Sequence, residues 1–391
     1  MNKMSIAGLS CAIVCIAANF MNAQTSIQVR NTQNFERNEI VSLSKVQLKS
    51  FLGKNKAEDL RIKDAQNNNL VIQWVDNDGD GKNDELLFQA KLDAKKTNSY
   101  TIIAENTPIP ESKLTTYSRL VPERVDDYTW ENDKIAFRVY GPKGQAEALA
   151  GVKGSTLSSG VDIWFKRTEK SVINEWYKGY LTDPMYYHKD TRGEGYDPYH
   201  VGDSRGTGGI GIWKDGKLQV SKNFTSSKTI AEGPLKTVFE LTYAPWSEFG
   251  VKETKRISLD LGSNFSKFES TFEAEKPVPN YTVGITLHKN EGEAKLNDKA
   301  GYYLHWEKID DAFVGEGIVI DPKIVQKSVA HTSETPDQSN LLVVTRPQKK
   351  LTYYAGFAWQ KSGQIQTQKD WENILEKQAK IVANPLLITV K

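Results

Sequence analysis

The sequence predicts an all-β protein in two parts. A small N-terminal immunoglobulin-like sandwich is followed by a large antiparallel β-supersandwich with a long active-site loop and a C-terminal helix. Three observations predict it. Short runs along most of the chain alternate apolar and polar residues, the period of a strand with one buried face. Gly, Pro, Asn and Asp punctuate these runs at hairpin spacing. A sustained helical spacing occurs in one segment, near the C-terminus.

The first 24 residues read MNKMSIAGLSCAIVCIAANFMNAQ. Lys3, the apolar run from Ile6 to Phe20 and the small Ala23 have the form of a signal peptide over 1–23, cut before Gln24. No other stretch approaches the roughly 18 apolar residues that span a bilayer, so no membrane span is expected. Both cysteines, Cys11 and Cys15, fall in this leader. The mature chain then has no thiol for a disulfide, a nucleophile or a metal ligand. Export without disulfides fits the periplasm, with secretion from the cell as the alternative. The net charge of +2 and the lack of a nucleic-acid motif argue against a nucleic-acid partner. The 9 Trp and 16 Tyr suit a large core, and they also supply stacking faces for sugar rings.

Residues 24–106 hold five alternating runs: EIVSLS (39–44), LRIKD (60–64), LVIQWVD (70–76), DELLFQA (84–90) and SYTIIAE (99–105). That count and spacing predict a small sandwich. Between the third and fourth runs lies DNDGDGKNDE. Asp76, Asp78, Asp80 and Asp84 fall at the first, third, fifth and ninth positions of a calcium loop, with Gly81 at the sixth. The twelfth position is Leu87 instead of a bidentate Glu, and the flanks are strands. A structural calcium ion and a plain Asx-rich hairpin are the two readings. Residues 107–127, polar and proline-bearing, read as a linker.

From residue 128 to 391 the strands lengthen, from KIAFRVYG through GGIGIWKDGKLQV and LKTVFELTYAPW to LTYYAGFAWQKSG. So many antiparallel strands need two stacked sheets to cover them. Residues 144–150 suggest a turn of helix. QKDWENILEKQAKIVA (368–383) places Trp371, Ile374, Leu375 and Gln378 on one face and predicts the C-terminal helix. The long adjacent strands of EGPLKTVFELTYAPW and KETKRISLDLGSNFSKFESTFE (232–273) resemble the supersandwich domains of galactose mutarotase-like proteins and polysaccharide lyases.

The chemistry concentrates in DPMYYHKDTRGEGYDPYHVGDSRGTGGIGIW, Asp183 to Trp213. Long loops this dense in reactive side chains are usually functional. His188, His200, Tyr187 and Tyr199 are the candidate proton-transfer groups. Lys178, Arg192 and Arg205 are candidates to pair with a carboxylate or sulfate. Trp176 and Trp213 are candidate stacking walls. His188 and His200 lie twelve apart with no HExxH-type spacing, which makes a zinc site a weak reading. In GITLHKN, His288 faces the side opposite Leu287 and is a further substrate-binding candidate. In YYLHWEK, Tyr303, His305 and Glu307 share one face. His331 reads as an exposed loop residue.

VDNDGDGKNDELLFQ, YHKDTRGEGYDPYHVGDSRGTGG and GITLHKN together resemble an exported bacterial polysaccharide-utilisation family. That resemblance implies the activity of an ulvan oligosaccharide dehydratase. Such an enzyme removes water from a glucuronic or iduronic acid at a non-reducing end and leaves a 4,5-unsaturated uronate. The implied partners are an anionic, sulfated oligosaccharide and, functionally, an unsaturated-glucuronyl hydrolase that consumes the product. No cofactor is required. The residues suit this chemistry: a base takes H5, positive charge or strong donors stabilise the resulting dianion, and an acid protonates the departing C4 oxygen. A polysaccharide lyase needs the same parts. A glycoside hydrolase would use facing carboxylates, for which Glu194 and Asp203 can be nominated. A non-catalytic sugar-binding protein is the third reading.

Overall fold

The computed structural model describes residues 25–391. The leader expected over 1–23 therefore lies outside the described residues. Among those described, no helix is long and apolar enough to cross a membrane.

The predicted all-β class holds, and both parts are present. In the N-terminal part, the strands Thr25–Arg30, Thr97–Ala104 and Leu60–Lys63 form one sheet, and Arg37–Ser44, Glu85–Leu92 and Ile72–Val75 form the facing one. Alternation works as the sequence suggests. Val41, Leu43, Phe88, Ala90 and Ile102 point inward to a single small core. The fourth strand of the first sheet comes from the far end of the chain. Leu387–Val390 pairs antiparallel with Thr25–Arg30, so the last residues close the first sandwich and do not belong to the large domain. The boundary near 107–127 also moves. Tyr117–Val121 is a strand that pairs with Asp127–Glu131. Its prolines sit before and after it, at Pro108, Pro110 and Pro122, where they cost no ladder hydrogen bond.

The large part has two layers. One is an eight-stranded sheet, starting at Ser226–Ala231 and ending at Glu293–Asn297. The other consists of two five-stranded sheets, joined by a bridge between Val161 and Gly206. One core holds the layers together, with Phe137 and Phe165 from the first smaller sheet, Ile210 and Val283 from the second, and Phe268 and Phe357 from the large sheet. The opposite face of the large sheet is covered by the predicted C-terminal helix, Gln368–Ala383, which buries Trp371 and Leu375 against Tyr302, Leu304 and Trp306. Thr367 and Asp370 form its capping box. The turn expected near 144–150 is the helix Pro142–Leu149.

A third helix, Ile173–Tyr180, lies just before the loop and carries the candidates Trp176 and Lys178. Buried Glu131 accepts the N–H groups of Val172 and Ile173 and the ammonium of Lys166 at 2.7 Å, so a carboxylate anchors the positive helix start. Trp176 and Tyr177 on this helix pack with Trp164 and Tyr187 in a separate aromatic cluster. Ile173, Trp176, Tyr177 and Tyr180 do fall at helical spacing, but over only eight residues, and the sequence alone reads them as part of an irregular segment.

Candidate functional site

The long loop leaves this helix, crosses the surface and returns to the core in two steps. Gly195–Tyr196 adds a short edge strand to Asp162–Lys166. Thr207–Lys214 then joins the second five-stranded sheet. Glycine is required at each of these two points. A Cβ on Gly195, at φ +110°, would stand 1.8 Å from the Phe165 carbonyl oxygen, and one on Gly206, at φ +54°, 2.0 Å from that of Val161. Between these anchors the segment Pro198–His200 stands as a wall. A cleft of about 680 Å³ lies on one side, and another of about 670 Å³ on the other. Both are the size of ordinary ligand sites.

Arg138, Tyr140, His188, Asp197 and His200 line the first cleft. The Nδ1 of His188 lies 3.0 Å from the backbone oxygen of Asp197, an acceptor that can only receive a proton. Nδ1 therefore carries the hydrogen, and Nε2 is the basic nitrogen. That nitrogen has no protein partner among the described residues and is not sealed from solvent. Burial, followed by the charges of Arg138 and Arg124, holds the His188 pKa below the ordinary 6.5, so the ring is neutral at pH 7. The Tyr140 hydroxyl makes no hydrogen bond among the described residues. Burial, with Asp162 nearby, keeps its proton on by raising the pKa well above 10.

Behind these groups lies a buried charge cluster. Arg138 meets Asp162 and, at 2.9 Å, Asp197, while Arg124 meets Asp127 at 2.9 Å. Three carboxylates share two guanidinium groups, and burial raises Asp127 to about 6 and Asp162 to about 7. The hydroxyl of Tyr187 accepts from Arg124 at 2.9 Å and from Arg138 at 3.3 Å. This cluster fixes Arg138 at the cleft wall.

Across the wall, His288 is in the opposite electrical state. Its Nδ1 lies 2.8 and 3.0 Å from the two carboxylate oxygens of Glu307, and its Nε2 lies 2.8 Å from the backbone oxygen of His200. Both nitrogens face acceptors, so the ring is an imidazolium. Burial opposes the charge, but Glu307 outweighs it and raises the pKa to about 9. Burial raises the Glu307 carboxyl too, yet contacts to both of its oxygens identify the pair as imidazolium and carboxylate. His288 is not in a strand, as its alternation suggested. The strand ends at Thr286, and His288 takes a left-handed φ of +43° in the turn that follows. His305 is buried beside it, with Nδ1 2.9 Å from Glu316, whose other oxygen receives the hydroxyls of Tyr199 and Thr207, each at 2.6 Å.

A family model described as a domain of unknown function, DUF4861, matches residues 29–388. The chain belongs to the DUF4861 family. It is 40% identical over 372 residues to uncharacterized protein P7 of Formosa agariphila, covering 93% of each. Two solved structures from Enterococcus faecalis are similar in fold. One is a protein of glycosyl hydrolase family 38 (12% identity, TM-score 0.53), the other an alpha-mannosidase (10% identity, TM-score 0.53). Each match covers 94% of this chain but only 47% and 46% of the other, so the DUF4861 chain spans about half the length of those structures. At such identity the likeness describes the β-rich architecture alone.

In this DUF4861 chain the sequence-derived candidates separate. His188 and His200 line the first cleft together, with His200 at its rim, 68% exposed and 3.3 Å from Asp337. Tyr199 is part of the cleft wall, largely buried with its hydroxyl bonded to Glu316, and Tyr187 is buried behind it, bonded to Arg124. Arg205 cannot reach a ligand. It is buried between sheets, held by Ser159 at 3.0 Å and the Ile210 carbonyl at 3.1 Å, and burial lowers its pKa to about 10. Trp176 is likewise core, stacked on Trp164, with its indole N–H on Glu194. Arg192 lies flat on the Tyr186 ring at 3.9 Å and pairs with Glu194. Lys178 is exposed on the helix surface. Trp213 packs edge-on against His331 at 4.8 Å, outside both clefts, and His331 ends a strand instead of lying in a loop. The spacing misled here because a loop that dives into the core carries its charged residues with it.

Arg138 and Tyr140 were missed. The signal that could have found them was KIAFRVYG, a strand whose one face reads Ala136, Arg138, Tyr140. An arginine on a strand with no exposed face needs buried acids, and Asp127 and Asp162 lie on the strands paired with it. At the calcium-like loop the structure gathers one oxygen each from Asp76, Asp78 and Asp84 within 4.8 Å. Asp80 turns away to Lys82 at 2.9 Å. Asp76 accepts the N–H groups of Gly79 and Gly81, the bonds of an Asx-type turn.

Proposed function

We propose that the protein is an oligosaccharide dehydratase working in the cleft at His188. It eliminates water across C4 and C5 of a uronic acid at the non-reducing end of an anionic, ulvan-type oligosaccharide. The observation that carries this reading is a neutral histidine with its tautomer fixed by a backbone carbonyl and Nε2 open, in the same cleft as an unpaired tyrosine hydroxyl and an arginine.

In this reading His188 Nε2 takes the proton from C5 as the C5–H bond breaks. The electron pair forms the C4–C5 double bond, the C4–O bond breaks, and the Tyr140 hydroxyl protonates the departing oxygen as water. The proton on His188 returns to Tyr140 through solvent. Arg138, held at the cleft wall by Asp162 and Asp197, offsets part of the negative charge that builds on the substrate carboxylate. His200, exposed at the rim, can contact the next sugar. No metal or cofactor is needed for these steps. Export to the periplasm and consumption of the product by an unsaturated-glucuronyl hydrolase belong to the same proposal. Calcium at Asp76, Asp78 and Asp84 would be structural, far from the chemistry in sequence and sheet.

The test is to incubate the mature protein with ulvan oligosaccharides ending in a saturated uronic acid, following ultraviolet absorbance and mass. Rising absorbance with loss of one water and unchanged chain length is the expected result. Rising absorbance with shorter chains would make the enzyme a polysaccharide lyase. Shortening without absorbance would replace the proposal with hydrolysis, and no change across several uronate oligosaccharides would leave a sugar-binding protein.

A further inference from the structure

A third cavity, of about 620 Å³, lies where the N-terminal sandwich, the outer face of the eight-stranded sheet and the C-terminal helix meet. It shares no lining residue with the cleft at His188. Its wall carries Lys134, Lys236, Lys267 and Lys377 against the carboxylates of Glu39 and Asp260. These acids are already engaged, Glu39 by Arg37 and Asp260 by Lys236 at 3.3 Å. Lys267 has Glu269 at 3.2 Å. Lys134 and Lys377 have no carboxylate partner among the described residues.

Lys134 is the informative one. It sits in the turn between Asp127–Glu131 and Ala136–Val139, half-buried at the cavity. Burial pushes its ammonium pKa down, with Asp133 only partly offsetting this. Asp133 accepts the N–H of Gly262 at 2.7 Å. A desolvated ammonium without a partner costs free energy that an arriving anion recovers. The rest of the wall is rich in uncharged donors, among them the Tyr354 phenol and the amides of Asn38 and Gln378. Cavities at domain junctions are frequent ligand sites.

We propose that this junction cavity binds an acidic sugar, a uronate or a sugar sulfate, whose anion pairs with Lys134 and Lys377. That the ligand is a saccharide rests on the function proposed above; that it is an anion rests on the lysines. Such a site, remote from the reacting cleft, would hold a second part of the same polyanionic material.

The experiment is a ligand-observed NMR titration of the mature protein with glucuronic acid, glucose 6-sulfate and, as the neutral control, glucose. It uses wild type, Lys134→Met, Lys377→Met and His188→Ala. Saturable binding of at least one acidic sugar is expected, weakened about tenfold in each lysine variant and still present in His188→Ala, with no binding of glucose. Which acidic sugar binds identifies the anion. Lys377 is exposed on its helix, so its variant keeps the test decisive if Lys134→Met does not fold. No binding, or equal binding to wild type and both lysine variants, overturns the inference. Loss confined to His188→Ala overturns it as well and leaves the cleft reading standing. Lysine-dependent binding in a protein that forms no double bond would sink the dehydratase reading alone.

Discussion

Two histidines on opposite sides of one wall hold opposite charge. His188 is half-buried with a backbone carbonyl at its Nδ1 and two arginines nearby, and it stays neutral with a free nitrogen although the Asp197 carboxylate lies 3.7 Å away. His288 faces a carboxylate and a second carbonyl, and it is held protonated with both nitrogens occupied. The difference teaches how one residue type takes two jobs. A neutral ring with an open lone pair can accept a proton from a substrate. A charged ring with two donors in use holds structure, here the carbonyl of His200 that defines the wall, while its edge lines the second cleft. The surroundings decide which: at His188 burial and the two arginines outweigh the Asp197 carboxylate 3.7 Å away, whereas at His288 Glu307 outweighs burial.

The sharpest way to break this contrast is His188→Ala. If His188 is the base, kcat falls by roughly 10² to 10⁴ while the melting temperature stays near wild type. Its depressed pKa also places the acid limb of kcat/KM below the ordinary histidine value of 6.5. A limb above that value would show that another group is the base. Tyr140→Phe comes next. It removes the only hydroxyl assigned to the leaving oxygen, and kcat should fall about 10²-fold with KM little changed. Full activity in this variant would move the acid role to His200.

The third test addresses the charged side. The His288 pKa is raised, so its contribution to stability is full below about 6.5 and fades as pH rises through about 9. His288→Gln should cost about 2 kcal/mol at pH 6 and much less at pH 10, read from denaturant unfolding at both values. An equal cost at both values would mean that packing and not charge holds the wall. The smallest effect is expected at Lys178. Exposed and outside both clefts, it can be replaced by alanine with a stability change within about 0.5 kcal/mol and an unchanged KM. A raised KM would return it to the substrate site.

Much of the fold was legible because alternation reports burial directly. The strand at 39–44 and the helix at 368–383 have the faces their patterns predict. The return of Leu387–Val390 to the first strand was not legible, because register between ends of a chain leaves no local mark. For the site, the sequence pointed to the segment, and the structure sorted its members. His188 and His200 reach a cleft. Arg205 and Trp176, chemically as eligible, are in the core.

By itself, then, the sequence determined the all-β class, the C-terminal helix and the stretch in which reactive side chains crowd together. Those depend on residue types at short spacing, which fix local backbone preference and the apolar face. Tertiary structure alone decided which histidine is neutral, which arginine meets the cleft and which residues outside the loop, Arg138 and Tyr140, complete it. Protonation and access depend on groups that the chain brings together from distant strands, and the electrostatic field at a point is a sum over space and not over sequence.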